Sequence, residues 1–214
     1  MCRTLAELSL ALEEAREAGA LPDLVLIDDR LQPERGGDPV RSALKAVRLI
    51  TSTFGSRGPK CVLHTSQPDL NDVWTFCALG GHNVVDKFRP TERARILWET
   101  LDGHRWKPPE QRTSVTITDA LGRMLPYMEL PHWKHNARRD LPGLSEGAAH
   151  QAKSRLVNTL GLEKGAESRE IVTAANDHGL AWVPLSYRHL LPQDHPEHRP
   201  DRFKHRLPPR KSDV

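Results

Sequence analysis

At 214 residues the chain is long enough for one large or two small domains, each with a buried core. Its mean hydropathy is −0.58, and no apolar run approaches the roughly 18 residues of a membrane span. No basic start followed by an apolar stretch marks a secretory signal, so the expectation is a cytoplasmic protein with no membrane partner. The net charge of +3 is unevenly spread: residues 1–102 sum to −2 and residues 103–214 to +5. That asymmetry suits a signalling module joined to a binder of polyanions.

Taken in chain order, Thr4 and Glu7 form a capping-box pattern ahead of Leu5, Leu8, Leu12 and Ala15 at helical spacing, and Gly19 ends that helix. Residues 23–28 (DLVLID) are a short apolar run closing on acids, as in a buried parallel strand. Asp38 followed by Pro39 caps and starts a helix reaching about residue 53, which FGSRGPK breaks. CVLHTS (61–66) is a second strand, followed by a helix over 69–79. NVVDK (83–87) is a third strand, and a helix over 91–101 follows it. Strands alternating with helices predict a parallel sheet covered on both faces.

Residues 103–113, with a Pro pair and no periodicity, are the expected linker. Helices are predicted over 118–128, 133–141 and 145–160, and another over 168–180. LAWVPL (180–185) reads as a short strand or a capping segment. From residue 192 to the end, Pro, His and alternating charges predict a disordered tail. Cys2, Cys61 and Cys77 form no CxxC pair and are read as reduced, mostly buried thiols. His195 and His198 in the tail lack convincing metal spacing.

In a parallel α/β sheet, function gathers at the carboxyl ends of the strands. Those ends carry Asp28, Thr65 with Ser66, and Lys87. A carboxylate can accept a phosphoryl group, a hydroxyl can bond a phosphate oxygen, and an ammonium can neutralise charge. PDLVLIDDRL, HTS and ALGGHNVVDK, in that order, resemble the three segments that build the phosphorylation site of bacterial response-regulator receivers. The resemblance covers about residues 1–102 and implies Asp28 as phosphoacceptor, Thr65 as switch hydroxyl and Lys87 as phosphate contact. It implies an incomplete doubly wound, flavodoxin-like α/β receiver lacking its first strand and helix. The acidic pair that binds Mg²⁺ in the family belongs to that first unit. No metal site or cofactor is therefore expected: Asp28 and Asp29 are at most a remnant, and Mg²⁺ would bind only with the pair restored. Val84 stands where the family has an aromatic residue. The incomplete sheet is expected to leave an apolar strand edge uncovered.

In the second half, Ser145 is a natural helix cap after the tight turn 141–144. Ala149, Ala152, Leu156 and Leu160 share one face of the following helix. His150, Gln151, Ser154, Arg155 and Asn158 share the other, where Arg can read guanine and Gln or Asn adenine. Lys153, at the border, and Arg138 and Arg139, on the preceding helix, are placed for phosphate contacts. SEGAAHQAKSRLVNTLGL (145–162) resembles, without gaps, the recognition helix of LuxR/NarL-type output domains. SREIVTAANDHGL resembles that family's fourth helix. The resemblance implies an all-α helix-turn-helix domain over 114–191 that binds double-stranded DNA as a homodimer, with a sensor kinase or other signalling protein as a further partner. Asn136 stands at a usually apolar scaffold position, Lys153 replaces a usual Val, and the turn before Ser145 is one residue longer.

The expected function is a non-enzymatic, sequence-specific transcriptional regulator of the response-regulator type, controlled atypically rather than by simple aspartyl phosphorylation. Two readings compete with it. One is a protein-interaction adaptor that binds no DNA. The other is an Asp-nucleophile phosphatase, which needs an acid two residues after the nucleophile, where this chain has Arg30.

Overall fold

The computed structural model describes residues 1–29, 31, 39–66, 69–107, 115 and 117–192, and side chains within these except 39–41 and 119. The chain divides into two compact units, Met1–Lys107 and Pro108–Val214. Asp38, Arg30 and the tail beyond residue 192 lie outside the described residues, as does most of the expected linker.

The first unit opens with helix α1 (Leu5–Glu17). The Thr4 hydroxyl accepts from the Glu7 N–H at 3.2 Å, while the Glu7 carboxylate reaches back past Thr4 to the Arg3 N–H at 2.6 Å. Strand β1 (Leu24–Asp28) leads to α2 (Pro39–Phe54), β2 (Lys60–Thr65), α3 (Leu70–Ala78), β3 (Asn83–Asp86) and α4 (Pro90–Leu101). Two further helix starts have a local cause. Asp69 caps α3 by accepting from the N–H groups of Asn71 and Asp72, and Pro90 pre-sets the first turn of α4.

The three strands are all parallel, in the order β1-β2-β3. On β2 the successive residues Cys61, Val62 and Leu63 are all buried, and successive side chains point to opposite faces, so both faces of the central strand are covered. β1 is different: it is an edge strand, and Leu26 on it is 41% exposed. Helices α1, α2 and α3 pack in series, with α2 against β1, while α4 lies on β2 and β3. The polypeptide stays on this unit past the end of α4. Asn83 Nδ2 donates to the Thr100 hydroxyl and the His104 carbonyl, and the Trp106 N–H donates to the His82 carbonyl.

The second unit is helical: α5 (Asp119–Gly122), α6 (Leu125–Met128), α7 (Trp133–Asp140), α8 (Glu146–Thr159) and α9 (Ser168–Asp177). The single helix expected over 118–128 is in fact two short ones. Pro126 has no N–H to bond the carbonyl of Gly122, so the ladder breaks there and restarts with Pro126 in a first turn. Residues 180–184 form neither strand nor helix, and Leu185–Leu190 is a 3-10 helix that closes the unit. The core holds Leu121, Met124, Leu125, Tyr127, Trp133, Ala137, Leu156, Ile171 and Trp182. Trp182 is fully buried, and its indole N–H donates to Glu129 at 2.7 Å, so its one polar atom is satisfied. Glu167 and Glu170 form a reciprocal capping box at the start of α9.

Candidate functional sites

The first site lies at the carboxyl edge of the sheet. Strand register puts Asp28 beside His64 and Thr65 beside Asp86, and the Lys87 N–H donates to the Thr65 carbonyl as β3 ends. Asp28 and Lys87 are thereby brought together: the Lys87 ammonium donates to Asp28 Oδ1 at 2.7 Å. The same ammonium donates to Asp29 Oδ1 at 2.6 Å, and the Thr65 hydroxyl donates to Asp29 Oδ2, also at 2.6 Å. The carboxylate at the hub of this network is therefore Asp29, whose side chain is 16% exposed against 49% for Asp28. Sequence reasoning gave Asp29 only a marginal part. Its one available signal was the doubled acid at the strand end.

Burial pushes the Asp29 carboxyl up, but the hydrogen bonds from Lys87 and Thr65 outweigh it and bring the pKa down to about 2. Burial likewise opposes the charge on Lys87, and the two aspartates overcome it, so its pKa is raised. His64 is lowered by burial and by the nearby Lys87 charge. Both carboxylates bond the Lys87 ammonium, and the described residues contain no group of three or more metal-ligating side chains. The thiols take no part: burial raises Cys61 and Cys77 to about 12.

The second site is the outer face of α8. Ser145 caps this helix by accepting from the Ala148 N–H at 3.1 Å, and Gly143, at φ +79°, supplies the left-handed residue that the turn before it needs. Ala149, Leu156, Val157 and Leu160 are buried on its inner side, with Ala152 packed at the margin. His150, Gln151, Ser154, Arg155 and Asn158 are exposed, and Lys153 is half-buried. The two arginines of α7 are exposed but already engaged. Arg138 lies 3.4 Å from Glu146, and Arg139 bonds both oxygens of Asp140, which raises its pKa. Asn136 donates to the Pro131 carbonyl, which satisfies its amide at the position where an apolar residue was expected.

A contact the sequence did not reveal joins α7 to α8. Lys134 Nζ lies 2.9 Å from His150 Nε2 and 3.4 Å from Nδ1, and 5.9 Å from the centroid of the Trp133 ring.

No family model matches the chain, and no curated protein matches it. Among solved structures it is similar to the RcsB response regulator of Salmonella typhimurium, in two structures concerned with conformational dynamism for DNA interaction. The first shares 15% identity at a TM-score of 0.41, covering 79% of this chain and 81% of that one. The second shares 14% at 0.39, covering 79% and 82%. It is also similar to the response regulator ChrA of a heme-sensing two-component system, with 16% identity at a TM-score of 0.29, covering 72% and 75%. Likeness at this level assigns no function. Among the described residues no helix is long and apolar enough to cross a membrane.

Proposed function

We propose that the chain is a non-enzymatic, sequence-specific DNA-binding transcriptional regulator of the response-regulator type, whose helical unit docks α8 in the major groove. The observation that carries this is the two-sided character of α8. Its inner face is fixed in the core by Leu156 and Val157. Its outer face presents Gln151, Ser154, Arg155 and Asn158 to solvent from a capped helix, at a spacing that can follow base edges. A homodimer reading two half-sites is part of the proposal, because pairing multiplies the modest affinity of one small helical unit.

The α/β unit is proposed as an atypical receiver that signals through a kinase-independent contact or a protein partner. The Thr65 hydroxyl, which a phosphoryl group on Asp28 would need, is bonded to Asp29, and Lys87 is shared between Asp28 and Asp29. Incubation with an acyl phosphate and magnesium is expected to leave Asp28 unlabelled.

The test of the main proposal is retention of genomic duplex fragments by the full chain at two salt concentrations. Retention that weakens steeply with salt, with enrichment of particular fragments, supports a sequence-reading protein. Absence of retention even at low salt would leave the adaptor reading.

A further inference from the structure

The sheet face that carries α4 is only partly covered. Leu26 registers with Val62 and Val62 with Asn83, so these three side chains share one face, and Asn83 bonds Thr100 on α4. Leu24, two residues before Leu26, lies on the same face. α4 rests on β2 and β3, which leaves Leu24 half-buried and Leu26 exposed beside it. Around α4 itself, Ile96 and the buried Thr100 turn toward the sheet. Ala94, Leu97, Trp98 and Leu101 follow at helical spacing on one flank, and Arg95 pairs with Glu99 on the other. With right-handed crossovers through α2 and α3, the apolar flank is the one on the side of β1. Trp98 stands farthest from the sheet and is 68% exposed.

We propose that this surface is where two copies of the chain pair, each α4 settling on the bare strip of the other's β1 about a two-fold axis parallel to the helices. The inference rests on the homodimer put forward with the DNA-binding reading and gives it a surface on the first unit. What favours a second copy is that one surface carries both parts, the projecting helix and the strip it covers, as an isologous interface requires. Their lengths agree: the 12 residues of α4 span about 18 Å and the 5 residues of β1 about 17 Å.

Their polarities agree as well. α4 starts at the carboxyl edge, just after β3, and runs back to Leu101, whose carbonyl accepts from Lys60 at the start of β2. Its first half is therefore level with Asp28, and its second half with Leu24 and Leu26. An axis parallel to the helices leaves these heights unchanged. The arginine-bearing half of one α4 then meets the acidic end of the other β1, and Trp98 meets its leucines. Within α4, Arg89 and Arg95 are paired with Glu92 and Glu99, while Arg93 has no ion pair among the described residues. Each copy buries on the order of 500 Å², about 1,000 Å² in total, which is the lower limit of a specific interface. The dimer is accordingly reversible, with Trp98 as its anchor.

The experiment is sedimentation velocity of the full chain without DNA, from about 1 to about 100 μM, with tryptophan emission read on the same samples. A reversible monomer–dimer equilibrium is expected, and the emission should move to the blue as Trp98 leaves water. Trp98→Lys and Leu26→Lys, both at exposed positions, should each weaken pairing by about tenfold or more. Their urea midpoints should stay close to that of the wild type, which separates lost pairing from lost folding. Leu10→Lys, at an exposed leucine of α1 outside this surface, should change nothing. Trp98→Phe should still pair but lose the blue shift. A dimer that survives both lysine variants, or a blue shift that persists in Trp98→Phe, overturns this surface while leaving the homodimer standing. A chain that stays monomeric throughout overturns the surface together with the homodimer and assigns the bare strip to a different protein. DNA retention, measured separately, then decides whether α8 binds as a single copy.

Discussion

The two polar sites of this chain are built from similar residues and differ in whether their charges are spent. At the sheet edge, Lys87 lies between two carboxylates at 2.6 and 2.7 Å, and Thr65 closes the remaining oxygen of Asp29. Every strong donor there already has an internal acceptor. On α8 the donors of Gln151, Ser154, Arg155 and Asn158 face solvent, and among the described residues neither Lys134 nor His150 is paired with an acid. A new ligand at the first site must displace an existing bond. At the second, Gln151, Ser154, Arg155 and Asn158 are exposed and need give up no such ion pair among the described residues. That difference is the physical basis for proposing that recognition belongs to the helical unit and that the sheet edge has a restrained, structural chemistry.

The largest expected effect tests the open site. The double variant Gln151→Ala/Arg155→Ala removes two side chains that can each discriminate a base by about 1–3 kcal/mol. Affinity for an enriched duplex should fall by about a hundredfold or more, and sequence preference should go with it. Because both residues are exposed, the urea midpoint should barely move. Retained affinity and preference in a competition assay would remove this face from the model.

Next in size is the closed site. Lys87→Met leaves Asp28 and Asp29 facing each other without their shared cation. Charged hydrogen bonds contribute about 1.5–3 kcal/mol each, and this site is partly open to water, so a loss of about 2 kcal/mol in urea denaturation is expected. A smaller, pH-resolved effect belongs to Asp29. Its folded pKa, about 2, lies below the unfolded value, so its stabilisation is present above the unfolded range and disappears as pH falls toward about 2. Stability of the wild-type chain should decline through that acid window. Asp29→Asn should be less stable by about 1–2 kcal/mol near neutral pH and should lack this part of the decline.

The same contrast explains what the sequence made legible. Local features read well: the Ser145 cap, the acid-terminated strand 24–28 and the apolar stripe of α8 are each determined within a few residues. The meeting of Asp28 with Lys87 followed from strand order alone, since parallel strands deliver their carboxyl ends to one edge. The bonding of Thr65 to Asp29 did not. Strand alternation stops at Asp28, and the turn that follows decides where the next carboxylate points. Pro126 was in plain view, but helical spacing around it masked the break it imposes. The contact between Lys134 and His150 spans sixteen residues and two helices, so only their packing could show it.

The smallest expected effect sharpens the comparison most finely, because it concerns a charged residue on the helical unit that is already spent. Arg139 is exposed and carries the charge that a phosphate contact calls for, yet its guanidinium bonds both oxygens of Asp140 at 2.6 and 3.1 Å. To reach a phosphate it must give up a bidentate partner next to it in the chain, and the net gain is small. Arg139→Ala should therefore lower DNA affinity by less than about threefold, as the loss of an exposed ion pair would. Asp140→Asn supplies the converse. It frees Arg139 without removing it, and affinity should rise modestly, with a steeper dependence on salt. If Arg139→Ala instead costs as much as the loss of Arg155, an internal carboxylate does not withhold an arginine from DNA, and the distinction between spent and available charge fails on the unit where it matters most.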